Sequence, residues 1–311
     1  MTREIVIGTR DSALALWQTN WVLENLSKLH PGYKFRVIEM KTQGDKILDV
    51  ALAKIGDKGL FTKELEMAMI KGEIDLAVHS MKDMPTKLPD GLVIGAICQR
   101  EEAGDALIGR SAKSLQQLGP GARVGTSSLR RRAQLLNARP DLQIEDLRGN
   151  LNTRIAKLEG QDLDAIILAA AGVKRMGWED KISERIPFAV SLPAVGQGSV
   201  GIEIREDDEE IQRLVKTLEH RESSIAIKAE RAMLRTLEGG CQIPIGALGK
   251  VDGNQLELEG VVASLDGKEL LRTSVVGSVD QAEELGVQLA NKLIAMGADK
   301  ILTSVRLEIG E

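Results

Sequence analysis

The sequence predicts an α/β protein of three domains: two similar α/β lobes around a shared cleft and a smaller α+β domain with a three-stranded sheet. Two observations carry the pair of lobes. Ile5-Val6-Ile7 reads as a short buried strand running into Gly8-Thr9-Arg10-Asp11-Ser12 and a helix, and Arg123-Val124 runs into Gly125-Thr126-Ser127-Ser128 and another helix. Asp75-Leu76-Ala77-Val78-His79-Ser80 and Asp164-Ala165-Ile166-Ile167-Leu168-Ala169 are likewise two versions of one buried strand. The intervals between these echoes differ, which makes them a weak internal repeat with inserted loops. The third observation is a pair of runs alternating at period two, Gln255 to Ala263 and Glu269 to Val276, joined at the hairpin signal Asp266-Gly267 and followed by a helix from about Asp280 to Ala295.

The elements between follow in order. The first helix starts at Ala13, with Ser12 and Asp11 as candidate N-caps, and Trp17 and Trp21, four apart, read as core. Tyr33 to Ile38 alternates as a second strand. The polar, glycine-containing stretch from Lys41 to Phe61 is either a solvated loop or a lid over an anionic site. Thr62 is placed to cap a helix ending near Lys71-Gly72. Beyond the strand that ends at Ser80 comes Met81-Lys82-Asp83-Met84-Pro85. Ligands of open α/β sheets bind past the carboxyl ends of strands, so Lys82 and Asp83 are site candidates, whereas His79, inside the strand, reads as structural. Gly196 to Gly201 formally spells G-x-G-x-x-G, but it runs into the alternating Ile202-Glu203-Ile204-Arg205 and opens no helix, so it is not a dinucleotide fingerprint. Glu206 to Glu210 is an acidic run at a helix start, expected to be solvated. The third domain begins near Glu222.

Composition narrows the function. A net charge of −5 and 2% aromatics argue against a nucleic-acid binder. The chain shows no signal peptide or membrane-spanning run, and two cysteines, Cys98 and Cys241, make no disulfide framework; a cytosolic protein is the expectation. Three scattered histidines and two distant cysteines have no metal-ligand spacing, so no metal is expected.

Two features carry chemistry. Cys241 follows Gly239-Gly240 at the end of a helical run from Ser223 to Leu237; it is either a small buried hydrophobe or a reactive thiol held in a loop. Arg10, Arg130, Arg131, Arg148, Arg154 and Arg175 fall at strand ends, helix starts or loops of the two lobes. Each alone reads as a surface or ion-paired residue; together, turned toward one cleft, they read as a site for a small polyanion. Without a P-loop or a carboxylate pair for Mg²⁺, carboxylates are favoured over nucleotide phosphates. Asp83, a lone acid at such a cleft, is suited to steady a developing cation or pass a proton. The residues alone leave open a two-lobed anion-binding module without catalysis.

The whole chain resembles the porphobilinogen deaminase (hydroxymethylbilane synthase) family. The matching stretches are Gly8 to Ala15, Lys58 to Leu65, Ala77 to Asp83, Gly125 to Arg131, Leu147 to Asn150, Leu192 to Gly198 and Glu238 to Cys241. The resemblance implies a transferase of tetrapyrrole biosynthesis. It condenses four porphobilinogen molecules head to tail, with loss of ammonia, and releases hydroxymethylbilane. The primer is a dipyrromethane cofactor in thioether linkage to Cys241. It further implies that Asp83 is catalytic. Lys82, Asp83, Thr126, Ser128, Arg130, Arg131, Arg148, Gln197 and Gly198 would hold the cofactor. Arg10, Ser12, Lys54, Phe61, Arg148, Arg154, Ala169, Ala170 and Arg175 would contact substrate. The implied fold pairs two periplasmic-binding-protein-like lobes, residues 1–98 with 199–217 and residues 104–192, with a third domain at 221–311. The chain recrosses to the first lobe near Ser199, so the strand at Ile202 belongs there. A cytoplasmic monomer without nucleic-acid or membrane partners is expected.

Overall fold

A computed structural model describes residues 3–46, 59–238 and 243–310. In chain order the first lobe contributes β1 (Glu4–Arg10), α1 (Ala13–Leu29), β2 (Lys34–Met40), the single turn α2 (Gln43–Lys46), α3 (Lys63–Ile70), β3 (Leu76–Ser80) and β4 (Leu92–Ile97). There follow β5 (Asp105–Gly109), β6 (Arg123–Gly125), α4 (Leu129–Ala138), β7 (Gln143–Glu145), α5 (Leu151–Gly160), β8 (Ala165–Ala169), α6 (Ala170–Arg175) and β9 (Glu184–Arg185). The remainder is β10 (Val200–Arg205), α7 (Glu209–Lys216), α8 (Arg221–Thr236), β11 (Ile245–Asp252), β12 (Gln255–Ala263), β13 (Leu270–Ser278), α9 (Ala282–Ala295) and α10 (Ala298–Ile309).

The strands form three sheets, ordered β2-β1-β3-β10-β4, β7-β6-β8-β5-β9 and β11-β12-β13. The first two share one topology. In each, three parallel strands are followed by a strand that runs antiparallel to both its neighbours: β10 against β3 and β4, and β5 against β8 and β9. These inserted strands are where the chain crosses between lobes, so the strand at Ile202 does sit in the first sheet. The echoed segments occupy equivalent strands (β1 and β6, β3 and β8), and the helices that follow β1 and β8 meet where Trp17 of α1 lies against Arg175 of α6.

Period-two alternation places side chains on both sheet faces. In the first lobe Ile5, Ile7, Leu76 and Val78 pack with Val22 and Leu26 of α1 and Ile211 and Leu214 of α7, while Ala77 packs with Leu65 and Met69 of α3. The third sheet is an antiparallel meander whose inner face buries Leu256, Leu258 and Val262 against Met233 of α8 and Leu289 and Leu293 of α9. Gly286 lets α9 approach closely: a Cβ there would stand 2.3 Å from the Ala229 carbonyl oxygen.

Several local expectations change. A further helix, α10, follows Gly297, whose φ of 105° breaks the helical run. Thr62 stands at the N-cap of α3 but makes no side-chain cap bond. The acidic run is not simply solvated: Asp208 caps α7 and pairs with Arg3 and Arg205, and Glu210 accepts from Tyr33. Trp17 is 38% exposed rather than core, and the Arg175 guanidinium lies over its ring at 5.7 Å.

Candidate functional site

In the first lobe β1 and β3 run parallel, so their carboxyl ends share one edge of the sheet. β1 ends at Arg10, whose guanidinium carbon lies 4.3 Å from the centre of the Phe61 ring. Ser12 caps α1 by accepting from Ala15 N at 3.3 Å. β3 ends at Ser80, which accepts from Gln18 Nε2 at 2.9 Å, and a 3-10 turn, Met81–Asp83, follows at once. Arg10, Ser12, Gln18, Phe61, Ser80 and Asp83 line one cavity. The turn is held from two sides. Met81 N donates to Ser199 O at 3.0 Å, and the buried Arg231 of α8 donates to the carbonyls of Met84 and Pro85 at 3.3 and 2.6 Å.

In the second lobe Ser128 caps α4 through Arg131 N, and Thr126 Oγ1 accepts from Ser128 N at 3.2 Å. Arg130 and Arg131 follow in the first helical turn, but both heads turn inward onto Asp105, the first residue of β5. Arg130 reaches its carboxylate at 2.7 and 3.2 Å, and Arg131 at 3.0 and 2.8 Å. Gln197 Nε2 joins them at 2.9 Å and also donates to Ala103 O; its Oε1 is buried with no hydrogen-bond partner among the described residues. Thus Arg130 and Arg131, expected to grip carboxylates of a bound molecule, and Gln197, expected against the cofactor, already engage an internal carboxylate. Arg132 is exposed.

Arg154 Nε donates to Gly149 O at 2.8 Å, beside Arg148 and the Asn150 cap of α5. Arg175, in the last turn of α6, donates to Gly198 O at 2.7 Å, which ties the second lobe to the returning crossover. At Gly198 φ is 96° and a Cβ would stand 2.4 Å from Glu101 O. Ala169 pairs with Asp105 in the strand ladder, and Ala170 N donates to Gly104 O at 3.0 Å, so that amide is engaged within the protein.

The cleft cations crowd one another. Burial, with Arg131 and Arg154 nearby, outweighs the attraction of Asp83 and pushes the Lys82 ammonium down to about 8. Burial, then Arg131 and Arg148, push Arg154 down to about 10, and burial lowers Arg148 and Arg175. Asp105 is the reverse case: burial acts to raise it, but the two guanidiniums prevail and hold it far below the usual carboxylate range. Among the described residues no group of three His, Cys, Asp or Glu side chains could hold a metal ion, and no helix is long and apolar enough to cross a membrane.

Cys241 and Lys54 lie outside the described residues. The entrance to the cysteine segment is described: Arg306 of α10 donates to the Glu238 carbonyl at 3.0 Å. Sequence reasoning missed Asp105, Glu230, Arg231 and the partner of His79. Glu230 of α8, fully buried, pairs with Arg100 and accepts from Gly196 N and Gly249 N, both at 2.8 Å. His79 Nε2 meets the buried Glu203 at 3.0 Å. The available signal was an acid inside an otherwise apolar run, as in Asp105-Ala106-Leu107-Ile108 and Gly201-Ile202-Glu203-Ile204.

Two α/β lobes of matched topology, with cations of both within electrostatic reach of one another beside one acidic turn, define a two-lobed cleft protein. The chain belongs to the porphobilinogen deaminase family. The family model "Porphobilinogen deaminase, dipyromethane cofactor binding domain" matches residues 5–213, and "Porphobilinogen deaminase, C-terminal domain" matches residues 224–295. The chain is 61% identical to a porphobilinogen deaminase of Desulforamulus reducens, covering 98% of this chain and 99% of that one. It is 59% identical to that of Carboxydothermus hydrogenoformans, over 100% of both. A likeness in structure, at TM-score 0.41 and 12% identity over 76% of this chain and 71% of the other, is to a periplasmic aliphatic sulphonate binding protein from Escherichia coli.

Proposed function

We infer that this chain joins porphobilinogen molecules head to tail, four in all, onto a dipyrromethane primer and releases hydroxymethylbilane by hydrolysis. Family membership along nearly the whole chain supports the activity. One structural observation supports the assignment of the site: Arg10, Ser12, Phe61, Ser80 and Asp83 line one cavity at the carboxyl ends of β1 and β3, with Lys82 beside Asp83 in the turn that follows β3. A chain of pyrroles, each with an acetate and a propionate, carries the carboxylates that arginine and lysine heads grip, and the cationic residues around this cavity fit such a cofactor. When bound, the dipyrromethane supplies the pyrrole carbon to which substrate is joined.

The protein's own groups then divide the work. Lys82, Thr126, Ser128, Arg130, Arg131, Arg148, Gln197 and Gly198 hold the cofactor, and Cys241 anchors it through a thioether. Arg10, Ser12, Lys54, Phe61, Arg148, Arg154, Arg175 and the Ala169-Ala170 backbone orient substrate. Each addition makes a carbon–carbon bond and breaks the aminomethyl carbon–nitrogen bond of the substrate. The bonding pair leaves with ammonia, a cation develops on the substrate pyrrole, and forming the carbon–carbon bond releases the proton of the carbon that accepts it. Asp83, on the turn held by Ser199 and Arg231, is the carboxylate placed to steady it. Phe61 over Arg10 covers the site and limits water. We assign domains to residues 1–98 with 199–217, 104–192 and 221–311, and propose a cytoplasmic monomer, which light scattering and cell fractionation check.

The test is an intact mass of the purified protein beside its Cys241→Ser variant. Excess mass equal to two linked pyrroles in the first and none in the second is expected. An unmodified mass on well-folded protein overturns the reading.

A further inference from the structure

We propose that Asp105 is the positioning residue of the cleft: its buried carboxylate gathers the heads of Arg130 and Arg131 into one fixed pose and cancels one of their two charges. The proposal rests on the reading of the site given above and extends it to a residue that contacts neither cofactor nor substrate in that reading.

The geometry is the ground for it. Neighbouring residues on an α-helix project about 100° apart, so nothing in α4 itself brings Arg130 and Arg131 together. Asp105 does. Its Oδ1 accepts from Arg130 Nη2, Arg131 Nε, Arg131 Nη2 and Gln197 Nε2 at 2.8 to 3.2 Å, and its Oδ2 accepts from Arg130 Nη1 at 2.7 Å and Ser191 Oγ at 3.2 Å. A carboxylate offers about four lone-pair sites, so six donors saturate it. The outer sides of the two heads are fixed as well, Arg130 Nη1 on Leu192 O at 2.6 Å and Arg131 Nη1 on Ile167 O at 3.1 Å.

The placement connects this cage to the chemistry. Asp105 is fully buried where the chain enters the second lobe, and Ser191 and Gln197 reach it from the segment that leaves. One carboxylate therefore ties both crossovers to the first turn of α4. Arg131 in turn acts on Lys82, next to Asp83, and on Arg154, so the cage borders the cleft cations. A buried ion pair is weak evidence for stability, because a well-packed apolar substitute often serves as well. What an apolar substitute cannot do is aim two arginines, whose long side chains otherwise sample many rotamers.

The experiment compares folded protein with loaded protein. Wild type and Asp105→Asn are purified from the same host, their folded fraction is measured by urea unfolding, and the share carrying two linked pyrroles is read by intact mass. The folded Asp105→Asn molecules are expected to be loaded about tenfold to a hundredfold less, the scale of loss that misplacement of a binding group brings. A purely structural carboxylate would reduce the amount of folded protein and leave its loaded share unchanged, and that result overturns the proposal. If Asp105→Asn does not fold, Arg130→Met is compared with Arg130→Met/Asp105→Asn, whose cage keeps the wild-type net charge. Lower loading in the double variant than in Arg130→Met alone supports the positioning role; equal loading overturns it. A wild-type chain with no added mass would instead remove the functional reading on which the proposal stands.

Discussion

Replacing Glu230 by Gln keeps the shape of a buried side chain and removes its charge, and the structure sets the size of the effect. The carboxylate is fully buried and holds three separate segments: Arg100 between β4 and β5, Gly196 in the returning crossover and Gly249 in β11. The amide can satisfy only part of this set, because its NH₂ meets donors where an oxygen stood. The Arg100 guanidinium, with its side chain 11% exposed, is left without its anion. Stranding one partner of a buried pair costs about 3–5 kcal/mol. Since Arg100 retains some contact with water and also donates to Gln197 O at 2.8 Å, about 3 kcal/mol is the expected loss. With m of about 2–3 kcal/mol/M, that lowers the urea midpoint by about 1 M. Glu230→Gln/Arg100→Met should recover part of the loss, since removing both partners leaves no stranded charge. A single-variant loss below about 1 kcal/mol, the range of exposed pairs, would refute the reasoning. So would a double variant no more stable than the single one, which would place the effect in the backbone amides.

Asp83→Asn should lower turnover by about a hundredfold to ten-thousandfold while intact mass still shows two attached pyrroles; undiminished turnover removes Asp83 from the mechanism. Lys82 is charged below its depressed pKa of about 8 and neutral above it, so the cleft loses a cation as pH rises through that value. Attachment of dipyrromethane to the unloaded protein should therefore weaken from pH 7 to pH 9 in wild type, read by intact mass, and that pH dependence should be absent in Lys82→Met. Gly198→Ala forces a side chain into a left-handed conformation and against the Glu101 carbonyl, which should destabilise by about 1–3 kcal/mol in thermal unfolding and loosen Arg175 from Gly198 O. A variant as stable as wild type would show that this turn relaxes freely.

The residue order by itself determined most of the architecture. Strands such as Ile5-Val6-Ile7 and Asp164 to Ala169 are legible because burial on a sheet demands apolar side chains at period two or in short unbroken runs. Cap and turn residues, Ser12, Ser128 and Gly267, mark boundaries through local bonds or a positive φ that need no distant partner. The Gly-Thr and Asp-led echoes disclosed the two lobes, and the strand ends pointed to Lys82 and Asp83. α10 was missed because the pattern breaks at Gly297 and restarts, and Trp17 was misplaced because a four-residue spacing says which side chains share a face but not what that face meets. What only the tertiary structure decided is which partner each charge finds. Arg130 and Arg131 look from sequence like ligand-binding groups; Asp105 meets them from 25 residues earlier in the chain, Glu230 reaches Arg100 across 130 residues, and Glu203 reaches His79 across 124. Coulomb attraction depends on distance through space and on burial, and neither is written in sequence separation.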